Sequence, residues 1–133
     1  MSVVVDSSVL VAALVDSGPR GTWAEDALAN GPLHAPELAR AEATNILRRL
    51  EMAKQITKAE ANAAHEDLMQ LELELFAFDL FAERIWELRH NVTSYDAWYV
   101  AVAEALKLPL ATLDARLSRA KGPTCKFLTP GVT

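Results

Sequence analysis

Val3-Val4-Val5-Asp6-Ser7-Ser8 opens the chain with three β-branched residues, then a carboxylate and two hydroxyls. Ser2 to Val5 reads as a buried strand, because an unbroken apolar β-branched run suits a strand covered on both faces. Ser7 and Ser8 are suited to cap a helix, Val9 to Val15, that ends before Gly18-Pro19. A strand ending in a carboxylate recurs far downstream. Pro109 introduces Leu110-Ala111-Thr112-Leu113, and Asp114 follows.

Between these two strands the signals alternate. Thr22 and Glu25 have capping-box spacing and predict a helix from Trp23 to about Ala29, broken by Asn30-Gly31-Pro32. Leu33-His34-Ala35 is a short strand. Pro36 suits the first turn of a helix reaching about Lys54, with Ala39, Ala43, Ile46, Leu47 and Leu50 as its apolar stripe. Thr57 and Glu60 form another capping box, for a helix to about Gln70. Leu73 to Phe78 reads as a strand. Asp79 is placed to cap a helix from Leu80 to about His90, and Thr93 or Ser94 one from Tyr95 to Leu106. Ala115 to Ala120 is a short helix or turn, and Lys126 to Leu128 a last strand. Strands alternating with helices predict a mostly parallel sheet covered on both faces, an α/β fold. In such sheets ligands bind beyond the carboxyl ends of the strands, where Asp6 and Asp114 fall.

With 133 residues and no linker or repeat, residues 1–133 read as a single domain. The 51% apolar and 23% charged composition fits a globular protein with a real core. The single cysteine, Cys125, excludes an internal disulfide and a cysteine-based zinc cluster. His34, His65 and His90 lack metal-ligand spacing. The longest apolar stretch, Val9 to Val15, is too short to span a bilayer, so no membrane role is expected. No basic segment precedes the first apolar run, which points to the cytoplasm. A net charge of −5 argues against a general nucleic-acid binder, but not against an enzyme that meets one RNA through a local basic patch.

Four acidic residues stand out. Asp6 and Asp114 lie at strand ends. Asp96 opens a helix whose next seven residues, Ala97 to Ala103, are apolar around the whole circumference, so that helix is buried. Glu42 shares one helix face with Asn45 and Arg49. Each has an ordinary reading: a helix cap for Asp6, a solvated helix position for Glu42, a first-turn charge for Asp96, a turn for Asp114. Jointly they describe a carboxylate cluster, which is costly to bury unless it holds a cation. Such oxygen ligands suit Mg²⁺ or Mn²⁺, and a cation there would serve phosphoryl chemistry. The five glycines match no phosphate-cradling pattern.

Val4-Val5-Asp6-Ser7-Ser8, Glu42 with Asn45-Ile46-Leu47, Ser94-Tyr95-Asp96-Ala97, and Ala111-Thr112-Leu113-Asp114 together resemble the PIN-domain ribonucleases, most closely the VapC-type toxins of bacterial toxin–antitoxin pairs. The resemblance spans the whole chain. It implies a three-layer α/β/α sandwich and Mg²⁺ or Mn²⁺ held by Asp6 and Asp96. Glu42 and Asp114 would complete the site directly or through water. Ser7 and Thr112 would orient carboxylates or phosphate, and Asn45 accompanies Glu42. The family cleaves single-stranded regions of RNA, often tRNA or rRNA. It usually forms homodimers and is silenced by a cognate VapB-type antitoxin covering the site.

Arg116 and Arg119, followed by Lys121 and Lys126, concentrate positive charge after Asp114 and are expected to meet RNA phosphates. Arg49 is a further candidate for the scissile phosphate. Trp23, Trp86, Trp98 and Tyr99 sit in apolar helical contexts and are expected in the core or an interface rather than under bases. The first helices, with Leu10, Leu14 and Trp23, are expected to offer an apolar groove for an antitoxin helix. Two other readings remain open: a DNA or flap nuclease with the same site, and a noncatalytic partner-binding module with structural carboxylates.

Overall fold

The computed structural model describes residues 2–29 and 31–131. Five strands form one all-parallel sheet: β1 (Val3–Val5), β2 (Leu33–Pro36), β3 (Leu73–Phe76), β4 (Leu110–Ala111) and β5 (Phe127–Leu128). Their spatial order is β3-β2-β1-β4-β5. Val4 lies opposite both His34 of β2 and Leu110 of β4, so β1 is the central strand. Its three valines are fully covered, as their unbroken apolar run requires.

The strand order places the helices. Right-handed crossovers put the connections β1→β2 and β2→β3 on one face, and those that run to the other side of β1 on the opposite face. The first pair of connections carries α1 (Ser7–Val15), α2 (Pro19–Ala29), α3 (Ala39–Met52) and α4 (Lys58–Gln70), which pack on one another. The long return from β3 to β4 carries a 3-10 turn (Phe78–Phe81), α5 (Ala82–Glu87) and α6 (Ser94–Leu106); α7 (Ala115–Ser118) joins β4 to β5. The α/β/α sandwich expected from the alternating pattern is therefore present. The connections diverge between β1 and β4, and that is where an open parallel sheet leaves a crevice.

Several boundaries differ from the sequence reading. Helix α2 starts at Pro19, and the Thr22 hydroxyl donates to the Gly18 carbonyl from inside it instead of capping it. Pro19, with no N–H to satisfy, is suited to a first turn. Pro36 ends β2 opposite Phe76 rather than opening α3. Strand β3 stops at Phe76, and Asp79 lies within the 3-10 turn. Phe81 packs edge-on against Phe76 and Phe78 against Trp98, with ring centroids 6.1 and 5.4 Å apart, so tertiary packing tightens this segment before a regular helix can form. Helix α5 ends at Glu87, short of His90. Arg84 clamps it to α6 through two hydrogen bonds to the Glu104 carboxylate, at 2.8 and 3.1 Å.

Leu10 is fully buried, so it cannot line a partner groove; Leu14 and Trp23 are half-buried. Trp86, expected inside or at an interface, is 66% exposed with the Arg89 guanidinium 4.2 Å above its ring. Large apolar side chains instead reach the surface at Phe78, Leu80 and Trp86, around the 3-10 turn and α5.

Candidate active site

Asp6 follows β1 directly, and its amide still donates to Ala111 O (3.1 Å), extending the ladder by one residue. Its side chain then turns into the crevice and caps α1, accepting from Val9 N at 3.1 Å. The Ser8 hydroxyl donates to the same carboxylate oxygen, and the fully buried Thr112 hydroxyl donates to the other. Both readings of Asp6 are thus true at once: it caps a helix and it lies at the strand ends. Three donors leave about one of the four lone-pair directions of an ionised carboxylate free.

Thr112 is the last residue held by the β4–β5 ladder, donating its amide to Leu128 O (3.0 Å). Its hydroxyl oxygen accepts from the Asp114 amide at 3.0 Å, tying Asp6 to the turn that carries Asp114. Asp114 caps α7 with one carboxylate oxygen, which accepts from Arg116 N (2.9 Å) and Leu117 N (3.2 Å). Asp96 stands in the first turn of α6, whose cap Thr93 accepts from the Asp96 amide at 3.2 Å. Glu42 stands in the first turn of α3, and the Tyr99 phenol of α6 donates to it at 2.6 Å.

The charges show the convergence. Burial raises the pKa of Asp6 against the opposing hydrogen bonds from Ser8, Thr112 and Val9, and the Asp96 carboxylate adds a smaller push in the same direction. Burial raises Glu42 in the same way, with Asp96 again adding repulsion. Asp96 is itself raised by burial and then by Asp114. Asp96 is thus a charge neighbour of Asp6, Glu42 and Asp114. Tyr99 is pushed far up, first by burial and then by Glu42 and Asp6, so it remains a neutral donor. Cys125 lies elsewhere, and burial followed by Glu104 pushes its thiol up to about 11, which rules out a thiolate nucleophile at neutral pH.

Of the remaining sequence candidates, Ser8 rather than Ser7 bonds Asp6. The Ser7 hydroxyl stands by Tyr99, where it is the neighbour that lowers the phenol's pKa. Asn45 and Arg49 are exposed on α3, and among the described residues Arg49 makes no ion pair. Arg116 and Arg119 are exposed around α7, next to Asp114. Tyr99 was missed as a site residue. It follows Asp96 by three positions and so shares its helix face, the one signal that pointed to it.

The donor set suits a hard divalent cation: four carboxylates, of which three have pKa values raised chiefly by burial, with a neighbouring carboxylate adding to each. Among the described residues, no three carboxylate, imidazole or thiolate groups stand close enough to close around one ion. A cation here would therefore keep several waters, as Mg²⁺ does.

Residues 3–123 match the PIN domain family model. Ribonuclease VapC1 of Mycobacterium tuberculosis is 39% identical over 125 residues, covering 93% of this chain and 94% of that protein. The chain belongs to the PIN-domain family, within its VapC ribonucleases. Among solved structures, FitAcB from Neisseria gonorrhoeae superposes with a TM-score of 0.71 at 19% identity, covering 96% of this chain and 97% of that one, a likeness of fold. VapBC-5 from Mycobacterium tuberculosis, a member of the VapBC family of toxin–antitoxin systems, superposes at 0.58 with 25% identity and covers 98% of both chains. No helix of the described residues is long and apolar enough to cross a membrane.

Proposed function

We propose that this protein is the toxin of a toxin–antitoxin pair, a Mg²⁺- or Mn²⁺-dependent endoribonuclease that cuts single-stranded regions of tRNA or rRNA in the cytoplasm. The observation that carries the reading is the hydrogen-bonded framework at the carboxyl ends of β1 and β4, in which Thr112 ties Asp6 to the turn of Asp114 and Tyr99 ties Glu42 to the helix of Asp96. Asp6 and Asp96 would hold the cation, and Glu42 and Asp114 would complete its surroundings directly or through water. Bound there, a divalent cation lowers the pKa of water and offsets charge on the phosphate oxygens.

The chain's own residues do the positioning. Thr112 and Ser8 fix the Asp6 carboxylate by donating to both of its oxygens. Tyr99 fixes Glu42 and, as a donor, favours its ionised form. Glu42 ionised can accept a proton from an attacking water, and Asp114 keeps one carboxylate oxygen free of the α7 cap. Arg116 and Arg119 would meet the RNA backbone, with Arg49 a further contact on the Glu42 helix.

The family supports a VapB-type antitoxin as partner, and we place its helix over the site entrance. The exposed Phe78, Leu80 and Trp86 support a homodimer, which sedimentation equilibrium on the free protein tests.

Purified protein incubated with total tRNA and rRNA in Mg²⁺ or Mn²⁺, with new RNA ends mapped, tests the enzyme. Discrete cuts that disappear with EDTA and in Asp96→Asn are expected. Cuts that persist in Asp96→Asn would show that they come from another nuclease, and no cuts with no cation binding would refute the reading.

A further inference from the structure

A cleft of about 550 Å³ opens beside the acidic site. Arg20 and Trp23 of α2 line it on one side, Ser118 and Arg119 on another, with Leu113 and Pro130 from the segments that follow β4 and β5. Its volume falls within the range of small-ligand sites. It is set at the carboxyl edge of the sheet, and Leu113 connects it directly to Asp114.

Its electrostatics set it apart. No acidic residue lines it, although the chain carries a net charge of −5. Four other sizeable clefts each include at least one glutamate. Among the described residues, neither Arg20 nor Arg119 is in an ion pair. Arg20 spends one N–H on the Leu113 carbonyl, at 3.3 Å, which anchors it at the cleft and leaves its other donors available. Two unpaired guanidinium groups in a carboxylate-free hollow call for an anion, and Arg presents a fork matched to phosphate oxygens. Trp23, half-buried, adds an aromatic surface to the same hollow.

We propose that this cleft receives one unpaired nucleotide of the RNA, adjacent to the bond that is cut. Trp23 stacks the base while Arg20 and Arg119 neutralise its flanking phosphates. The assignment rests on the ribonuclease reading of the acidic site and names the residues that would select its single-stranded substrate: only an unstacked base can enter a hollow of this kind. Trp23 thereby serves the core with part of its ring and the RNA with the rest.

The test is equilibrium binding of a fluorescent, 2′-O-methylated single-stranded RNA to the full chain carrying Asp96→Asn, across a range of salt concentrations. Arg20→Ala and Arg119→Ala should each weaken binding about tenfold and reduce the salt slope by about one. Trp23→Leu should weaken it by about tenfold with the slope unchanged, as loss of a stacking platform does. Lys58→Ala, the same charge change on exposed α4, should do neither. The two arginine variants are exposed substitutions, so the test does not hinge on the folding of Trp23→Leu. Binding and slopes unchanged in both arginine variants would overturn the subsite and the Arg119 contact with it, and leave the nuclease reading of the acidic site standing. No RNA binding by the Asp96→Asn parent, and none by the natural protein with Mg²⁺ and the same uncleavable RNA, would overturn the ribonuclease reading and the subsite with it. A duplex of the same sequence binding as tightly as the single strand would overturn the stacking role.

Discussion

Thr112 donates its buried hydroxyl to the carboxylate of Asp6, a residue 106 positions earlier in the chain. The bond joins the ends of two neighbouring parallel strands, and the same oxygen accepts the Asp114 amide. One side chain thus aligns two of the four carboxylates. Thr112→Val keeps the shape and removes both bonds. It should cost about 1–3 kcal/mol in urea denaturation, because Asp6 and the Asp114 amide lose buried partners. It should also weaken Mn²⁺ binding by about 10–100-fold in calorimetry, as loss of a ligand-orienting partner does. Thr112→Ser should recover most of both. Equal affinity in the Val and Thr proteins would show that the hydroxyl is structural only.

Asp96 stands among like charges, which costs stability when no cation is bound. The cation-free Asp96→Asn protein should be more stable than the natural one at neutral pH by about 1 kcal/mol, or about 3–5 °C in Tm. Added Mn²⁺ should raise the Tm of the natural protein by mass action and leave that of Asp96→Asn nearly unchanged. A higher Tm for the natural protein without cation would contradict the repulsion.

That difference should also depend on pH in a defined direction. Asp6, Glu42 and Asp96 are raised in the folded state, so folded protein binds these protons more tightly than unfolded chain. Their stabilising contribution is full below the ordinary values of 3.8 for Asp and 4.5 for Glu, and is lost as pH rises through the raised folded values. Glu104 works the other way: although burial opposes it, Arg84 and Thr124 hold it low, and its contribution is lost in acid. Subtracting the Asp96→Asn stability curve from that of the natural protein isolates the cluster. The difference should favour the natural protein in acid and reverse as pH rises above the carboxylate range.

Tyr99→Phe removes the 2.6 Å donor to Glu42 and retains the buried ring. Glu42 should then hold its proton to higher pH, and the acidic limb of the cleavage–pH profile should move towards alkaline values. Cleavage at pH 7 should fall about tenfold, the worth of one hydrogen bond to a charged group. A lower rate with an unmoved limb would mean that Tyr99 acts on packing alone.

Gly21 lets α2 cross close behind the end of α1. A Cβ there would lie 1.7 Å from the Asp16 carbonyl oxygen, a backbone atom that no rotamer change can move. Gly21→Ala should therefore destabilise the protein by about 3 kcal/mol despite the better helix propensity of Ala. A neutral result would show that α2 shifts freely.

The acidic residues were legible because carboxylates at the ends of apolar strands, or heading a wholly apolar helix, have few ordinary explanations. Asp6, Asp96 and Asp114 fell at such points, and the strand–helix alternation put them on one edge of a parallel sheet. Glu42 was less exposed to inference, since a half-polar helix commonly carries glutamate. The supporting groups were harder to read. Ser7 and Ser8 are both hydroxyls within two residues of Asp6, and only the turn geometry gives the bond to Ser8. The segment Phe78–Phe81 divides in the sequence into the end of a strand at Phe78, a cap at Asp79 and a helix start at Leu80, because the aromatic contacts that bend it come from Phe76 and from Trp98, twenty residues downstream.

The parallel α/β fold followed from the period and length of the apolar runs, and the same patterning singled out the four carboxylates as candidates. Those are local properties: a strand of valines or a helix apolar on every side states its own surroundings. Folding in three dimensions was needed to make Asp96 a charge neighbour of the other three carboxylates, to bring the Tyr99 phenol to Glu42, to bury Leu10, and to set Arg20, Trp23 and Arg119 around one cleft. Each of these depends on a distance between residues far apart in the chain. Strand order and helix crossing set such distances, and the spacing along the chain does not encode them.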